Sequence, residues 1–342
     1  MKAAILHSAD SVPVYGDFGE PAAGPGSEIV ALVAAGIHQL TRSVATGRHY
    51  GRDAVFPAIP GLNAVARMAD GTLVFTSAGA PPYGTFAERF ASPAAMRFPL
   101  PGGAQPAGAQ PGGAQPGGAQ PGGAQPAAIA AGINPGIASW LPLNARLAET
   151  GKLGTVLITG VTGMSGFLAA QNARLLGASR VVGCGRSQPG LDRAAAAGAQ
   201  AVRLAGDRDA DAAALSQALD GDAPGLVLDF VWGPVAETAF RALGRQGFSE
   251  DDADIRYVQI GALGGAEAAV PSQLLRSRKL TISGSGAGSV PAAEIKAQIP
   301  RYLQLIADGS VQVPYRTYPL SDAGTAWTIS TQSGPRVVLV QD

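Results

Sequence analysis

Three glycines at three-residue spacing, Gly160, Gly163 and Gly166 in TGVTGMSG, follow the apolar run TVLIT and precede FLAAQNARLLGA. The first run reads as a buried strand and the second has the apolar spacing of a helix. A glycine-rich turn between them keeps side chains out of the way of an approaching anion. The first free N–H groups of the helix then point at that anion from the positive end of the helix dipole. That chemistry suits a pyrophosphate, so Gly160, Thr162, Gly163, Met164, Ser165 and Gly166 are the candidate contacts. Glycines also serve tight strand–helix packing alone; the order strand, turn, helix, strand favours the nucleotide reading.

Twenty residues past Gly166 the next strand ends in GCGRS, Gly183–Ser187. An acidic residue about there would accept the ribose 2′-hydroxyl of NAD, whereas an arginine suits the 2′-phosphate of NADP. Arg186 offers forked, charge-assisted bonds to a phosphate and Ser187 a hydroxyl, with no Asp or Glu in the segment to repel it. Gly185, Arg186 and Ser187 are therefore assigned to an NADP(H) site, the alternative being an exposed loop arginine. Cys184 beside them reads as core packing, because no second cysteine exists.

These residues need a parallel sheet to hold them. From residue 127 onward strand-like and helical runs alternate: TVLIT, GFLAAQNARLLGA, RVVGCG, LDRAAAAGAQ, GLVLDFVWG, VAETAFRALGRQG, IRYVQIGALGG and KLTISGSG. That alternation predicts an α/β unit with crossover helices. The first hundred residues instead give short strand-like runs broken by Pro and Gly, with Asp70-Gly71 between apolar flanks as a hairpin signal. The last stretch returns to strands around one short helix. Between the two patterns lies GGAQP repeated five times, Gly102–Pro126, with Ala107 replacing one glycine. Without charge or large apolar side chains it buries too little surface to offset the entropy of ordering, and it reads as a flexible spacer or a replication-slippage expansion.

Bulk properties exclude several classes. The 342 residues carry 25 basic and 25 acidic side chains, so no net charge draws the chain to nucleic acid or an anionic membrane. One cysteine excludes a disulfide framework and points to a reducing cytoplasm. No run approaches the 18 or so apolar residues of a membrane span, and the apolar run at the N-terminus is too short for a signal peptide. His7, His38 and His49 lack metal-ligand spacing. There is no P-loop lysine, HExxH, GxSxG or Tyr-x-x-x-Lys pattern, which removes kinase, metalloprotease, serine-hydrolase and short-chain reductase readings.

With these segments in order, the chain resembles the medium-chain dehydrogenase/reductase superfamily, and within it the zinc-independent quinone oxidoreductase-like branch. FPAIPGLNAVARMADGTLVF, YGTFAERF, INPGIASWLPL, the Gly154–Ser187 unit and SQLLRSRKLTISGSGAGSVP stand in that family's order. The resemblance implies a GroES-like β-rich catalytic domain built from residues 1–101 and 309–342. It implies a Rossmann NADP-binding domain over 127–308, with the repeat 102–126 inserted at the crossing. It also implies a homodimer joined through the Rossmann edge strand, RKLTISGSG. Zinc-dependent relatives carry metal ligands where this chain reads Ile37-His38 and Leu62-Asn63. Leucine cannot ligate, so no metal is expected. Gly160 replaces an alanine frequent in the branch.

The implied chemistry is hydride transfer from NADPH to a small-molecule quinone or α,β-unsaturated carbonyl. The alternatives are a zinc-independent alcohol/carbonyl reductase and an NADPH-binding protein with little turnover. An acceptor oxygen gaining negative charge needs a donor. By resemblance Tyr50, in GRHY, is the candidate catalytic donor and substrate contact, and His38, a polar residue beside the cofactor, the second catalytic candidate; packing or surface roles are the alternatives. Asn63 is a candidate substrate contact. Val231 and Trp232, then Ile260 and Gly261, follow strand ends where such sheets bind ligands. Trp232 either lines the cofactor channel or packs in the core. Asn134 either caps a helix or touches the cofactor. Arg336 is assigned to cofactor or substrate.

Overall fold

The computed structural model describes residues 1–51, 53–102, 125–247 and 252–342. The repeat from 103 to 124 lies outside the described residues. Contacts divide the chain into two units, Met1–Pro135 with Lys296–Asp342, and Gly136–Ile295. Both divisions fall inside helices, α2 (Pro126–Thr150) and α8 (Ala292–Ala307), whereas the sequence places the borders at residues 127 and 308.

In the first unit, β1 (Lys2–Ile5) pairs with β2 (Val14–Asp17). The main sheet contains β3 (Ser27–Gly36), β4 (Asn63–Arg67), β5 (Leu73–Ser77), β6 (Arg89–Pro93), β7 (Phe98–Pro99), β14 (Tyr315–Pro319) and β15 (Arg336–Val340). Among the described residues its order is β14-β15-β3-β4-β5-β7, with β6 also on β3. The expected hairpin joins β4 and β5: Gly71 has φ +88 and Met68 N donates to Thr72 O at 2.9 Å. Val338 of β15 stands opposite Gly36 of β3, so both chain ends share one sheet. The unit also holds two short helices, α1 (Gln39–Ala45) and α9 (Ala323–Ile329), besides its parts of α2 and α8. Leu32, Phe86, Phe90, Trp327 and Leu339 meet in its core.

The second unit alternates as expected. Its strands are β8 (Thr155–Thr159), β9 (Arg180–Gly185), β10 (Gln200–Arg203), β11 (Leu226–Asp229), β12 (Asp254–Gln259) and β13 (Lys279–Gly284). The helices between them are α3 (Met164–Leu175), α4 (Gln188–Ala196), α5 (Arg208–Leu219), α6 (Gly233–Ala242) and α7 (Ser272–Ser277). The strands are parallel in the order β10-β9-β8-β11-β12-β13. β8 is buried at every position, because helices cover both faces of such a sheet. The order reverses between β8 and β11, which places the turns after these two strands side by side. RKLTISGSG supplies the outer strand β13 of this sheet.

One local expectation is corrected. Asn134 does not cap a helix: Asn-Pro-Gly lies mid-helix in α2, which begins at Pro126. Proline at a first helical position costs no hydrogen bond, and the apolar spacing of Ile129, Ile133, Ile137 and Trp140, all buried, carries the helix through Pro135.

Candidate cofactor and substrate sites

The three glycines of the turn differ in what they do. Gly160 has φ +73, and a Cβ there would lie 2.6 Å from Val231 Cγ2. A Cβ on Gly166 would lie 2.3 Å from Gly160 O. Both positions serve packing: the first lets the turn meet the end of β11, the second lets α3 start against the turn. Gly163 is different. It is exposed, has φ −81, and a Cβ would find its nearest atom at 3.6 Å. It occupies the N-cap of α3, where no side chain caps the helix. The first turn of α3, Met164 to Gly166, thus keeps the N–H groups that a helix cannot satisfy internally. An anion fits this cradle. The turn is pinned to the neighbouring strand by Gly160 N and Val161 N, which donate to Cys184 O at 2.9 and 3.1 Å.

Arg186 follows β9 directly and is exposed, and Ser187 is the N-cap of α4 without a side-chain cap bond. A Cβ on Gly185 would meet Thr162 Cγ2 at 2.5 Å, so the strand end and the glycine-rich turn touch. The structure therefore brings the two motifs read from the sequence to one place. Cys184 is buried, and that burial pushes its thiol up to about 12, as expected for packing.

The switch point is organised by a residue that sequence reasoning passed over. Asp229 ends β11 and is fully buried. Its Oδ1 accepts from the Thr159 hydroxyl and from the N–H groups of Val231 and Trp232, both at 2.9 Å. Its Oδ2 accepts from the Tyr257 hydroxyl at 2.7 Å. The Asp229 carbonyl accepts from Ile260 N at 2.7 Å and Gly261 N at 3.1 Å. One residue thus holds both loops named as cofactor-facing. The available signal was an acid at the end of an otherwise apolar strand, LVLD. Trp232 takes the strained backbone φ +61, ψ −164, and its ring lies edge-on to Phe240 and Tyr257 at 6.1 and 6.3 Å. Its packing role is the one visible.

In the first unit a cavity of about 320 Å³ opens beside α1. Thr41, Asp53, Ile59, Asn63, Ser77 and Tyr83 are among its lining residues. Asn63, the expected substrate contact, is one of these lining residues. His38 is buried at the N-cap of α1, its Nε2–H donating to Ala130 O at 3.1 Å, with Nδ1 left without a partner among the described residues. Burial, then the neighbouring Arg336 charge, bring its imidazole down to about 3. Arg336 Nη1 donates to Ile37 O at 3.1 Å, and burial lowers its guanidinium to about 10. The structure thus joins His38 and Arg336, which lie 298 residues apart in the chain. Tyr50 is 80% exposed, its ring stacked on His49 at 4.3 Å. Asn134 is half-buried in α2. Among the described residues no three His, Cys, Asp or Glu side chains gather as metal ligands.

This pairing of a β-rich unit containing both chain ends with a doubly wound parallel sheet is a fold found in solved oxidoreductase structures. The quinone oxidoreductase of Thermus thermophilus shares it, with a TM-score of 0.75 at 23% identity over 99% of this chain and 100% of that one. An alcohol dehydrogenase superfamily protein of Novosphingobium aromaticivorans matches at 0.74, with 21% identity and full coverage of both chains. In sequence, the probable NADPH-dependent quinone reductase tdiC of Emericella nidulans is 32% identical over 225 residues, 62% of this chain and 61% of that protein. The chain thus spans under two thirds of that relative. No family model matches the chain. The solved structures bear out the fold read from the sequence, and the likeness to tdiC bears out the resemblance to quinone reductases.

Proposed function

We propose that the protein is an NADPH-dependent oxidoreductase that reduces a quinone or an α,β-unsaturated carbonyl without a metal. The observation that carries this reading is the meeting of an open glycine cradle at the start of α3 with Arg186 at the end of β9, with no carboxylate in the Gly183–Ser187 segment. Gly163 and the first turn of α3 would hold the pyrophosphate, and Arg186 with Ser187 the 2′-phosphate. When bound, NADPH supplies the hydride. The chain's own groups bind and orient. Asp229 fixes the Val231–Trp232 and Ile260–Gly261 loops at the carboxyl end of the sheet. In the first unit, the 320 Å³ cavity has the size for a small ring compound, with Asn63 as a neutral donor for its oxygen. His38 stays uncharged at neutral pH and serves as a hydrogen-bonding group, not an acid. Tyr50 is the exposed hydroxyl nearest in sequence to the cavity-lining Asp53–Val55 stretch and is the donor to test first. The reading is supported further by the likeness to tdiC, a probable NADPH-dependent quinone reductase, and to the Thermus quinone oxidoreductase, whose structure is known in complex with NADPH. We place the protein in the cytoplasm, as a homodimer through β13; among the described residues no helix is long and apolar enough to cross a membrane.

The test is a fluorescence titration of NADPH and NADH on wild type and Arg186→Ala, followed by an acceptor screen of quinones and enones. Strong NADPH preference that collapses in the variant, with turnover of one acceptor class, is the expected result. Alcohol-dependent reduction of NADP would instead identify an alcohol/carbonyl reductase. Tight binding without turnover of any acceptor would identify a nucleotide-binding protein.

A further inference from the structure

The carboxyl ends of β9 and β10 hold more positive charge than a single phosphate-reading arginine requires. Arg203 closes β10 opposite Gly185, whose carbonyl accepts from Leu204 N at 2.8 Å. Arg193 stands on α4, half-buried, and its Nη2 donates to Thr162 O at 3.5 Å, the outer limit of a hydrogen bond. Gly190 explains that reach. A Cβ there would lie 2.6 Å from Thr162 Cβ, so the glycine lets α4 close onto the turn. Arg193, three residues later and on the same helix face, is carried to Thr162 with it.

Arg186, Arg193 and Arg203 form no ion pair among the described residues. The acids on α4 and at the start of α5 accept from other donors. Asp192 accepts from Gln188 at 2.8 Å, Asp207 caps α5, and Asp211 accepts from Ala205 N and Gly206 N at 2.7 and 2.9 Å. Arg193 and Arg203 stand on α4 and β10, the elements that follow and flank the Arg186 strand end, and no carboxylate among the described residues is paired with any of the three. A phosphate dianion is also a far better acceptor for Arg193 than the neutral Thr162 carbonyl at long range.

We propose that Arg193 is a second arm of the 2′-phosphate subsite. Arg186 grips the phosphate from the strand end. Arg193 releases its long bond to Thr162 and turns its guanidinium to the same phosphate from α4. Arg203 adds charge beside them. The inference rests on the NADPH reading above and assigns the selectivity for the phosphorylated cofactor to two elements instead of one loop.

The test is calorimetric titration of the full chain with adenosine 2′,5′-bisphosphate and with adenosine 5′-monophosphate, on wild type, Arg193→Gln and Arg193→Lys. Wild type should bind the bisphosphate at least about tenfold more tightly than the monophosphate, the gain of a charge-assisted bond. Arg193→Gln should lose about tenfold for the bisphosphate and stay within about twofold for the monophosphate. Arg193→Lys, which keeps the charge and the packing stem, should fall between and carries the test if the glutamine variant does not fold. Equal weakening of both nucleotides would show that Arg193 only supports the turn through Thr162, and unchanged bisphosphate binding would show no role; either overturns the proposal. A wild type that does not discriminate the two nucleotides would overturn the NADPH reading itself.

Discussion

Asp229 gives the sharpest prediction. It is fully buried, and its carboxylate takes donors from Thr159, Val231, Trp232 and Tyr257. Asp229→Ala leaves each of those donors without its acceptor. An orphaned buried donor costs about 1–3 kcal/mol. Taking the low end for each gives about 4 kcal/mol, a large share of the 5–15 kcal/mol typical of folded proteins. The Trp232 backbone at φ +61 also loses its restraint. Asp229→Asn behaves differently. Its Oδ1 keeps the Thr159, Val231 and Trp232 donors, and the Tyr257 hydroxyl can turn to accept from the new amide. The cost is then the charge assistance, about 1–2 kcal/mol. Urea unfolding, with unchanged m-values as the condition for comparison, should separate the two variants by about 2 kcal/mol or more. On folded protein, the alanine variant should also weaken NADPH binding more than the asparagine variant does. An alanine variant within about 1 kcal/mol of the asparagine variant would refute the view that this carboxylate organises the switch point.

Two other perturbations test the site. Gly163→Ala should cost no more than about 1 kcal/mol, the disadvantage of alanine at an N-cap, because φ −81 suits alanine and the new Cβ meets nothing closer than 3.6 Å; yet it should weaken NADPH at least about tenfold, and unaltered affinity would remove Gly163 from the cradle. Gly160→Ala should destabilise by about 1–3 kcal/mol, through φ +73 and overlap with Val231, as read from thermal or urea midpoints. The His38 imidazole is held at about 3 in the folded chain, below the unfolded value near 6.5. Between those values the unfolded chain binds the extra proton, so stability falls as pH drops below about 6.5, by up to about 1.4 kcal/mol per unit, and levels off near 3. His38→Gln should flatten that part of the profile between pH 7 and 4; parallel profiles for the two proteins would contradict it.

The strand–turn–helix unit around Gly160–Gly166, the second strand ending at Gly185 and the Asp70-Gly71 hairpin were legible in the sequence, because each depends on local periodicity or on glycine's own backbone freedom. So was the resemblance that joined the segments. The two faces of the parallel sheet were legible as continuous apolar runs. Helix α5 was not read, since RDADAAALSQAL alternates charge and alanine without a clear apolar stripe. Nor was the start of α2 at Pro126, because its first residue belongs to the repeat and Asn-Pro-Gly mimics a later beginning.

Other assignments required contacts across long separations. No local pattern says that Gly160 and Gly166 serve packing while Gly163 faces open space; Val231 and the Gly160 carbonyl decide that. The neutral state of His38 comes from burial and from Arg336 at the far end of the chain. Asp229 gains its role only when β8, β11 and β12 lie side by side and Thr159 and Tyr257 turn their hydroxyls to it. The residue types and their order along the chain set which chemistry is possible here. Which atoms are left free for a ligand was decided by the tertiary fold, because a hydrogen-bonding group is free only when no neighbour, however distant in sequence, has claimed it.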